Sequence, residues 1–429
     1  MDAKSLAYNT LPGPDDITRH ELPNGITLLI RSNFLSPSVI FTGYLDCGSI
    51  SDPDDKLGLA NLTASALTTG TKKQDFNTLH NAIETLGANL SVHGGTLTTS
   101  FSSQCLVEDL PTMLGIFADV LQQPTFPRKQ FKRLKAQYLT MLAIIAQDTA
   151  EMADLTFNEL IFKGHPFERS DDGTPETISA IGVEDLVEFH QNHFSPQGMV
   201  MAVVGAVEPE DVIKYVSDRF GAWSDERKRL SPLIPDALSL EQPASKHVTI
   251  VEKSQTDIVM GNLAPRRASG DYLPCAMGNN ILGQFGMMGR IGNSVREKSG
   301  LAYYAQSDLS AGTGPGTWEF VAGVNPENLN KVVTLIKEEM QHFLDDPVSD
   351  DELNDTKSYL IGRLPLLHES NSGVAVSLLN LERFNLGLDY LRNYPELVQS
   401  ITKEDILTAS RKYLSLQSLA VASAGKALR

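Results

Sequence analysis

The segment VEDLPTMLGIFADVLQQPTFPRKQFKRLKAQYL, which begins at Val107, has a counterpart 219 residues further on, PENLNKVVTLIKEEMQHFLDDPVSDDELNDTKSYL, from Pro326. A second pair, PETISAIGVEDL from Pro175 and PELVQSITKEDI from Pro395, lies 220 residues apart. Two matches in order at nearly one offset mean two homologous halves, so whatever unit one half builds is built twice. The length of 429 residues agrees, being too long for one ordinary core. Between the halves, SDERKRLSPLIPDALSLEQPAS (Ser224 to Ser245) is rich in charge and proline, lacks helical or strand periodicity, and reads as a linker. The first domain then runs from about Asp16 to Trp223 and the second from about Lys246 to Arg429.

Each half opens on alternating apolar segments suited to half-buried strands, GITLLI at Gly25 and HVTIVE at His247. Amphipathic helices follow: Leu110, Met113, Leu114, Ile116, Phe117, Val120 and Leu121 recur in steps of three and four, as do Leu329, Val332, Val333, Leu335, Ile336 and Met340. Each half closes on another apolar strand, GMVMAVVGAV and SLAVASAG. With hairpin-like polar alternation over Leu90 to Ser102, the pattern predicts an α+β fold made twice, mostly antiparallel sheets with helices covering one face.

The stretch GLANLTASALTTGT, Gly58 to Thr71, has the outline of a metallopeptidase helix without its ligands. It resembles the insulinase and pitrilysin family of inverted zinc peptidases, of the two-domain, processing-peptidase-like type, whose active members carry H-x-x-E-H here within G-x-A-H-x-x-E-H-x-x-F-x-G-T. Gly58, Ala60, Gly70 and Thr71 keep the frame. The two histidine positions fall on Asn61 and Ser65, and the general-base glutamate falls on Ala64, residues that cannot build the site. The family's third ligand, a glutamate a little over seventy residues on, lands in Tyr138 to Gln147, YLTMLAIIAQ, which holds no acid. The resemblance covers the chain after its first fifteen or so residues and implies the family's fold in both halves.

In the second half, REKSGLAYY from Arg296 resembles the R-E-x-x-G-L-A-Y pattern by which active insulinase-like enzymes place an arginine and a tyrosine seven residues apart. An arginine fork can hold a peptide carbonyl or carboxylate through paired donors, and a tyrosine hydroxyl can stabilise a tetrahedral oxyanion. The bland reading is a solvated Arg296 at a helix end and Tyr303 as an ordinary strand residue. Matching Gly300, Leu301 and Ala302 favour the functional one, with Tyr304 on the opposite face of the strand. Just upstream, Gly283, Gly286, Gly289 and Gly292 recur every third residue around Phe285, Met287 and Met288. The run lacks the Gly-Lys-Ser/Thr end of a phosphate loop. Its place resembles the glycine-rich, substrate-presenting loop of the mitochondrial processing peptidase's non-catalytic subunit, and close packing of a helix start explains it equally well.

The hairpin at Leu90 to Ser102 matches in position the family edge strand to which peptides add, here more an accessory contact. His190 and His193 stand at a chelating step without an accompanying acid or cysteine, and read as packing or surface residues. Cys47, Cys105 and Cys275 are too few and too far apart for a disulfide framework. A formal net charge of −17 speaks against nucleic acid and anionic membranes as partners. The N-terminus shows no basic region followed by an apolar core, so a cytoplasmic protein is expected, or a periplasmic one if a leader has been removed.

The resemblance implies a division of labour. A partner subunit of the same family, carrying H-x-x-E-H, would supply zinc and the general base; this chain, without a cofactor of its own, would supply Arg296 and Tyr303 across a heterodimer interface during hydrolysis of a peptide. Family interfaces also allow a homodimer in isolation. The alternatives are a structural or assembly subunit, like the core proteins of the respiratory bc1 complex, and a peptide-binding module that cuts nothing.

Overall fold

A computed structural model describes residues 10–225, 234–284 and 289–427. The first half contributes strands β1 (Thr18–Glu21), β2 (Thr27–Ser32), β3 (Ser38–Leu45), β4 (Asn89–His93), β5 (Thr99–Leu106) and β6 (Val200–Gly205), in the spatial order β1-β2-β6-β3-β5-β4. The second contributes β7 (Ala244–Thr249), β8 (Thr256–Ala264), β9 (Ala302–Ser310), β10 (Gly316–Val324) and β11 (Ala420–Gly425), in the order β7-β11-β8-β10-β9. With β1 set aside, the two orders are the same. Each sheet also has one parallel pair, β2 with β6 and β7 with β11, the other neighbours being antiparallel. The duplication read from two sequence matches is therefore a duplication of topology, and the α+β class holds. The linker expected over Ser224 to Ser245 ends sooner, because Ala244 already starts β7; residues 226–233 of it lie outside the described set.

One face of each sheet carries the helix whose periodicity was visible in the sequence. On the first sheet, Phe41 and Phe101 meet Phe117 of the Leu110–Gln122 helix, with ring centroids 5.4 and 4.5 Å apart. On the second, Met260, Trp318 and Phe320 form a core with Val332, Ile336, Met340 and Phe343 of the Leu329–Asp345 helix. Residues of one helical stripe thus sit over alternate residues of the strands.

The expectation that helices cover one face only is wrong. The other face of the first sheet, with Leu29, Ile40, Val200, Ala202 and Val204, packs against Val374, Ala375, Leu378 and Leu381 of the Asn371–Arg383 helix. The other face of the second sheet, with Val259, Ala420, Ala422 and Ala424, packs against Ala153, Phe157 and Ile161 of the Thr149–Ile161 helix. Each half has given a helix to the other half's sheet. The compact units are interleaved accordingly: one comprises the described parts of Met1–Leu142, Arg169–Leu233 and Leu364–Arg392, the other those of Ala143–Glu168, Ile234–Arg363 and Asn393–Arg429. Contiguous domains meeting at a linker do not describe these units. The physical reason lies in β6, apolar on both faces, and in β11, five of whose six residues are buried, so each central strand needs two covers. Burying one large apolar side chain contributes roughly 1.5–3 kcal/mol. The lent helix therefore weighs as much as a domain's whole margin of about 5–15 kcal/mol.

The lent helices start where capping chemistry tells them to. Ser370 Oγ accepts from the Gly373 amide at 3.1 Å, and Asp148 Oδ1 accepts from the Ala150 and Glu151 amides at 2.9 and 3.1 Å. Among the described residues no helix is long and apolar enough to cross a membrane.

Candidate functional site

Asn61, Ala64 and Ser65 share the Leu59–Ala66 helix, almost every residue of which is buried. Gly58 starts it with φ of +91°, and a Cβ there would stand 2.6 Å from Ile178 Cδ1, which explains why the glycine of the motif survives without the chemistry. Asp52 anchors the start: its carboxylate accepts from the amides of Gly58 at 2.8 Å and Ala60 at 2.9 Å. Burial pushes the Asp52 carboxyl up to about 7, against the lowering effect of those two amides and of Arg169. Arg169 ties the same loop together by donating to the carbonyls of Ser49, Ile50 and Asp52.

The former ligand positions have found new partners. Ser65 Oγ lies 2.9 Å from the hydroxyl of Tyr138, which is also 3.2 Å from the Asn61 carbonyl. Tyr138 comes from the Arg128–Ile145 helix, where the resemblance would place the third ligand, and its phenol ties the Ser65 side chain to the Asn61 backbone. Burial raises the Tyr138 pKa and keeps the hydroxyl protonated, able to donate. Asn61 Nδ2 donates to Asp172 Oδ1 at 3.1 Å, while its Oδ1 is packed at Gly94, where a Cβ would come within 2.2 Å of it. An amide, two hydroxyls and a methyl do not fit a zinc ion. Among the described residues no group of three or more histidine, cysteine, aspartate or glutamate side chains is placed to hold a metal.

The second residue set lies in the other compact unit. Arg296 belongs to a π-helical turn, Asn293–Lys298, that follows the short Gly289–Gly292 helix. The turn stops at Gly300: the carbonyl of Arg296 accepts from the Gly300 amide at 2.9 Å and that of Val295 from the Leu301 amide at 3.1 Å. Gly300 has φ of +62°, so the chain reverses in the left-handed region and enters β9 two residues later. Val295 is buried and anchors the turn, while the Arg296 side chain is one-third exposed, with Nε 3.8 Å from Glu297 Oε1. Tyr303 follows in β9 and is 72% exposed, the large aromatic of this strand that faces outward. Tyr304 turns inward, as alternation predicts, and its hydroxyl donates to Asp257 Oδ1 at 2.6 Å. β9 is an edge strand of its sheet, as β4 is of the first.

The glycine run divides. Gly283 is buried, and a Cβ there would meet the Ser307 amide nitrogen at 1.9 Å; Gly289 has φ of +64°, with Ile281 O 2.5 Å from where its Cβ would be. Close backbone packing accounts for both. Gly286, with Phe285, Met287 and Met288, lies outside the described residues. Of the other candidates, His190 Nε2 lies 2.7 Å from the Leu121 carbonyl and its ring stacks on Phe194, and the ring of His193 packs on Phe189. Cys47, Cys105 and Cys275 are buried free thiols, and burial pushes Cys105 and Cys275 up to about 11 and 12, away from nucleophilic use. Sequence reasoning passed over Tyr138 and Asp257. Tyr138 had a signal, a hydroxyl 73 residues after Ser65 in the run where an acid was sought; Asp257 had none.

Comparison with known proteins gives a consistent picture. A family model described as "Insulinase (Peptidase family M16)" matches residues 34–170, and one described as "Peptidase M16 inactive domain" matches residues 180–360. An uncharacterized zinc protease of Streptomyces coelicolor is 24% identical over 410 residues, covering 94% of this chain and 88% of its own length. A non-peptidase homolog of Helicobacter pylori is 23% identical over 416 residues, covering 92% and 91%. Among solved structures, a peptidase M16 inactive domain from Pseudomonas fluorescens superposes with a TM-score of 0.90 at 24% identity, covering 96% of this chain and 98% of that one.

Proposed function

Given that the chain belongs to peptidase family M16, the insulinase family, and lacks that family's metal-binding motif, we propose that it is the arginine–tyrosine subunit of a two-chain peptidase. In this reading zinc, the H-x-x-E-H helix and the general base belong to a partner chain. The guanidinium of Arg296 holds a carbonyl or carboxylate of an extended peptide. The Tyr303 hydroxyl donates a hydrogen bond to the carbonyl oxygen that gains charge as the scissile carbon becomes tetrahedral. Such a donor strengthens its bond as the charge develops, and is worth about 10²–10³ in kcat.

One observation carries the reading. Two of the metal positions have taken structural partners, Ser65 on Tyr138 and Asn61 on Asp172, whereas Arg296 and Tyr303 keep their motif, with Tyr303 facing solvent on an edge strand and Arg296 one-third exposed in the turn before it. A chain freed from all peptide chemistry has no reason to keep the second set while rebuilding the first. A second reading, a binding or assembly module that cleaves nothing, draws support from the Helicobacter pylori relative described as a non-peptidase homolog.

Reconstitution separates them. The purified chain is expected to bind no stoichiometric zinc and to cleave no peptide. Mixing it with a family subunit that carries H-x-x-E-H is expected to produce chelator-sensitive hydrolysis that neither chain has alone. A partner equally active with and without this chain removes the proposed role and leaves the second reading.

A further inference from the structure

Tyr303 stands on an edge strand of its sheet, at an irregularity in the pairing. β9 is bonded on one side only, to β10, and the ladder between them slips there: Gly323 pairs with Tyr304, the next residue Val324 pairs with Ala302, and Tyr303 is passed over. A bulge of this kind re-aims side chains and loosens local pairing. A hydroxyl that must meet a developing oxyanion within a few tenths of an ångström needs its backbone held by something else.

The neighbouring residue supplies the hold. Asp257, Gly323 and Tyr304 form one row across three strands, since Gly323 is opposite Asp257 on β8 and opposite Tyr304 on β9. The Tyr304 ring crosses the middle of that row. A Cβ on Gly323 would stand 2.4 Å from Tyr304 Cε1 and 2.9 Å from Asp257 Oδ1, so only a residue without a side chain lets the phenol span the strand. At the far end the hydroxyl donates to Asp257 Oδ1 at 2.6 Å. Asp257 is 2% exposed and is itself fixed by Gln255 Nε2, at 2.8 and 3.1 Å from its two oxygens, and by the Thr149 hydroxyl. Burial, and then the Asp257 carboxylate, raise the Tyr304 pKa, so the phenol stays protonated and the clasp stays closed at neutral pH.

We propose that the Asp257–Tyr304 clasp over Gly323 sets the aim of Tyr303, which makes Tyr304 and Asp257 positioning residues for oxyanion stabilisation. The inference rests on the peptidase reading above. It assigns the bulge a purpose: the same backbone step that turns Tyr304 into the sheet turns Tyr303 out, and the buried carboxylate locks the step.

The test uses the complex with the H-x-x-E-H subunit and an internally quenched fluorogenic peptide. Tyr304→Phe keeps the ring and removes the bond; it is expected to lower kcat by about 10-fold or more while KM stays within about twofold, the mark of a misplaced rather than a missing contact. Asp257→Asn keeps an acceptor oxygen and is expected to retain more activity than Asp257→Ala. In the unmixed chain, Tyr304→Phe is expected to speed hydrogen exchange of the β9 amides around Tyr303 and not those of β8. If Tyr303→Phe loses activity while Tyr304→Phe matches the parent, or raises KM alone, the clasp has no positioning role and the peptidase reading stands. If Tyr303→Phe itself cleaves like the parent, both fall.

Discussion

The Leu59–Ala66 helix holds the former metal positions and the turn that leads into β9 holds the proposed arginine–tyrosine pair, and their surroundings differ. Around the helix, Ser65, Tyr138, Asn61 and Asp172 bond to one another, and Asp52 and Arg169 bind the backbone that introduces them. Around the turn, Arg296 has only a long approach to Glu297, and the Tyr303 hydroxyl makes no hydrogen bond among the described residues. Polar groups that serve only the fold are normally satisfied within it, because an unpaired buried one costs about 1–3 kcal/mol. Groups kept for a ligand are left facing solvent. On the proposed reading the contrast separates a region turned over to structure, with Asn61 Oδ1 its one former ligand atom left unpaired, from one held open.

The comparison predicts an asymmetry in activity, the largest effect. In the reconstituted complex, Tyr303→Phe should lower kcat by about 10²–10³-fold, whereas Ser65→Ala at the former ligand position should leave it within about twofold. Equal losses at the two places would dissolve the contrast. Stability should show the reverse. Tyr138→Phe leaves Ser65 and the Asn61 carbonyl without their partner and is expected to cost about 1–3 kcal/mol in urea unfolding, while Tyr303→Phe stays within about 0.5 kcal/mol.

A pH series sharpens the point. The folded-state pKa of Asp52 is near 7, above its ordinary value of 3.8, so the folded chain holds an extra proton between those values. That contribution is fully present below 3.8 and is lost as pH rises through about 7, so stability should fall across the window, with a limiting slope of about 1.4 kcal/mol per pH unit. Glu319, half-buried beside Thr317 and also raised to about 7 by desolvation, acts in the same sense in the other unit. Asp52→Asn should flatten the melting-temperature profile without abolishing its slope, since Glu319 remains. The smallest effect is expected at Glu297→Gln, which removes the weak neighbour of Arg296: less than about 0.5 kcal/mol in stability, and kcat within about twofold.

Much of this was legible in the sequence, for identifiable reasons. The strands announced themselves through alternation, the Leu110–Gln122 and Leu329–Asp345 helices through their three-and-four spacing, and the doubled topology through matches at 219 and 220 residues. Asn61, Ala64 and Ser65 were readable as lost ligands because the surrounding glycines answer to backbone geometry, which outlives the chemistry. The lent helices were not readable. Periodicity shows that Val374, Leu378 and Leu381 form an apolar stripe, yet nothing in a stripe names the sheet that receives it. The clasp was equally hidden, because Asp257, Gly323 and Tyr304 are distant in sequence and meet through strand register alone.

The exchange of helices also governs how such a chain can be made. A ribosome releases the strands of the first sheet long before it reaches Val374, so one apolar face of that sheet stays naked while β7 to β10 and the helices after them are being synthesised. Completion of the first unit waits until the Asn371–Arg383 helix has been made. The nascent chain is thereby a client for whatever shields sticky surfaces in the cell, and a gene cut at the linker would yield two proteins that each lack a cover.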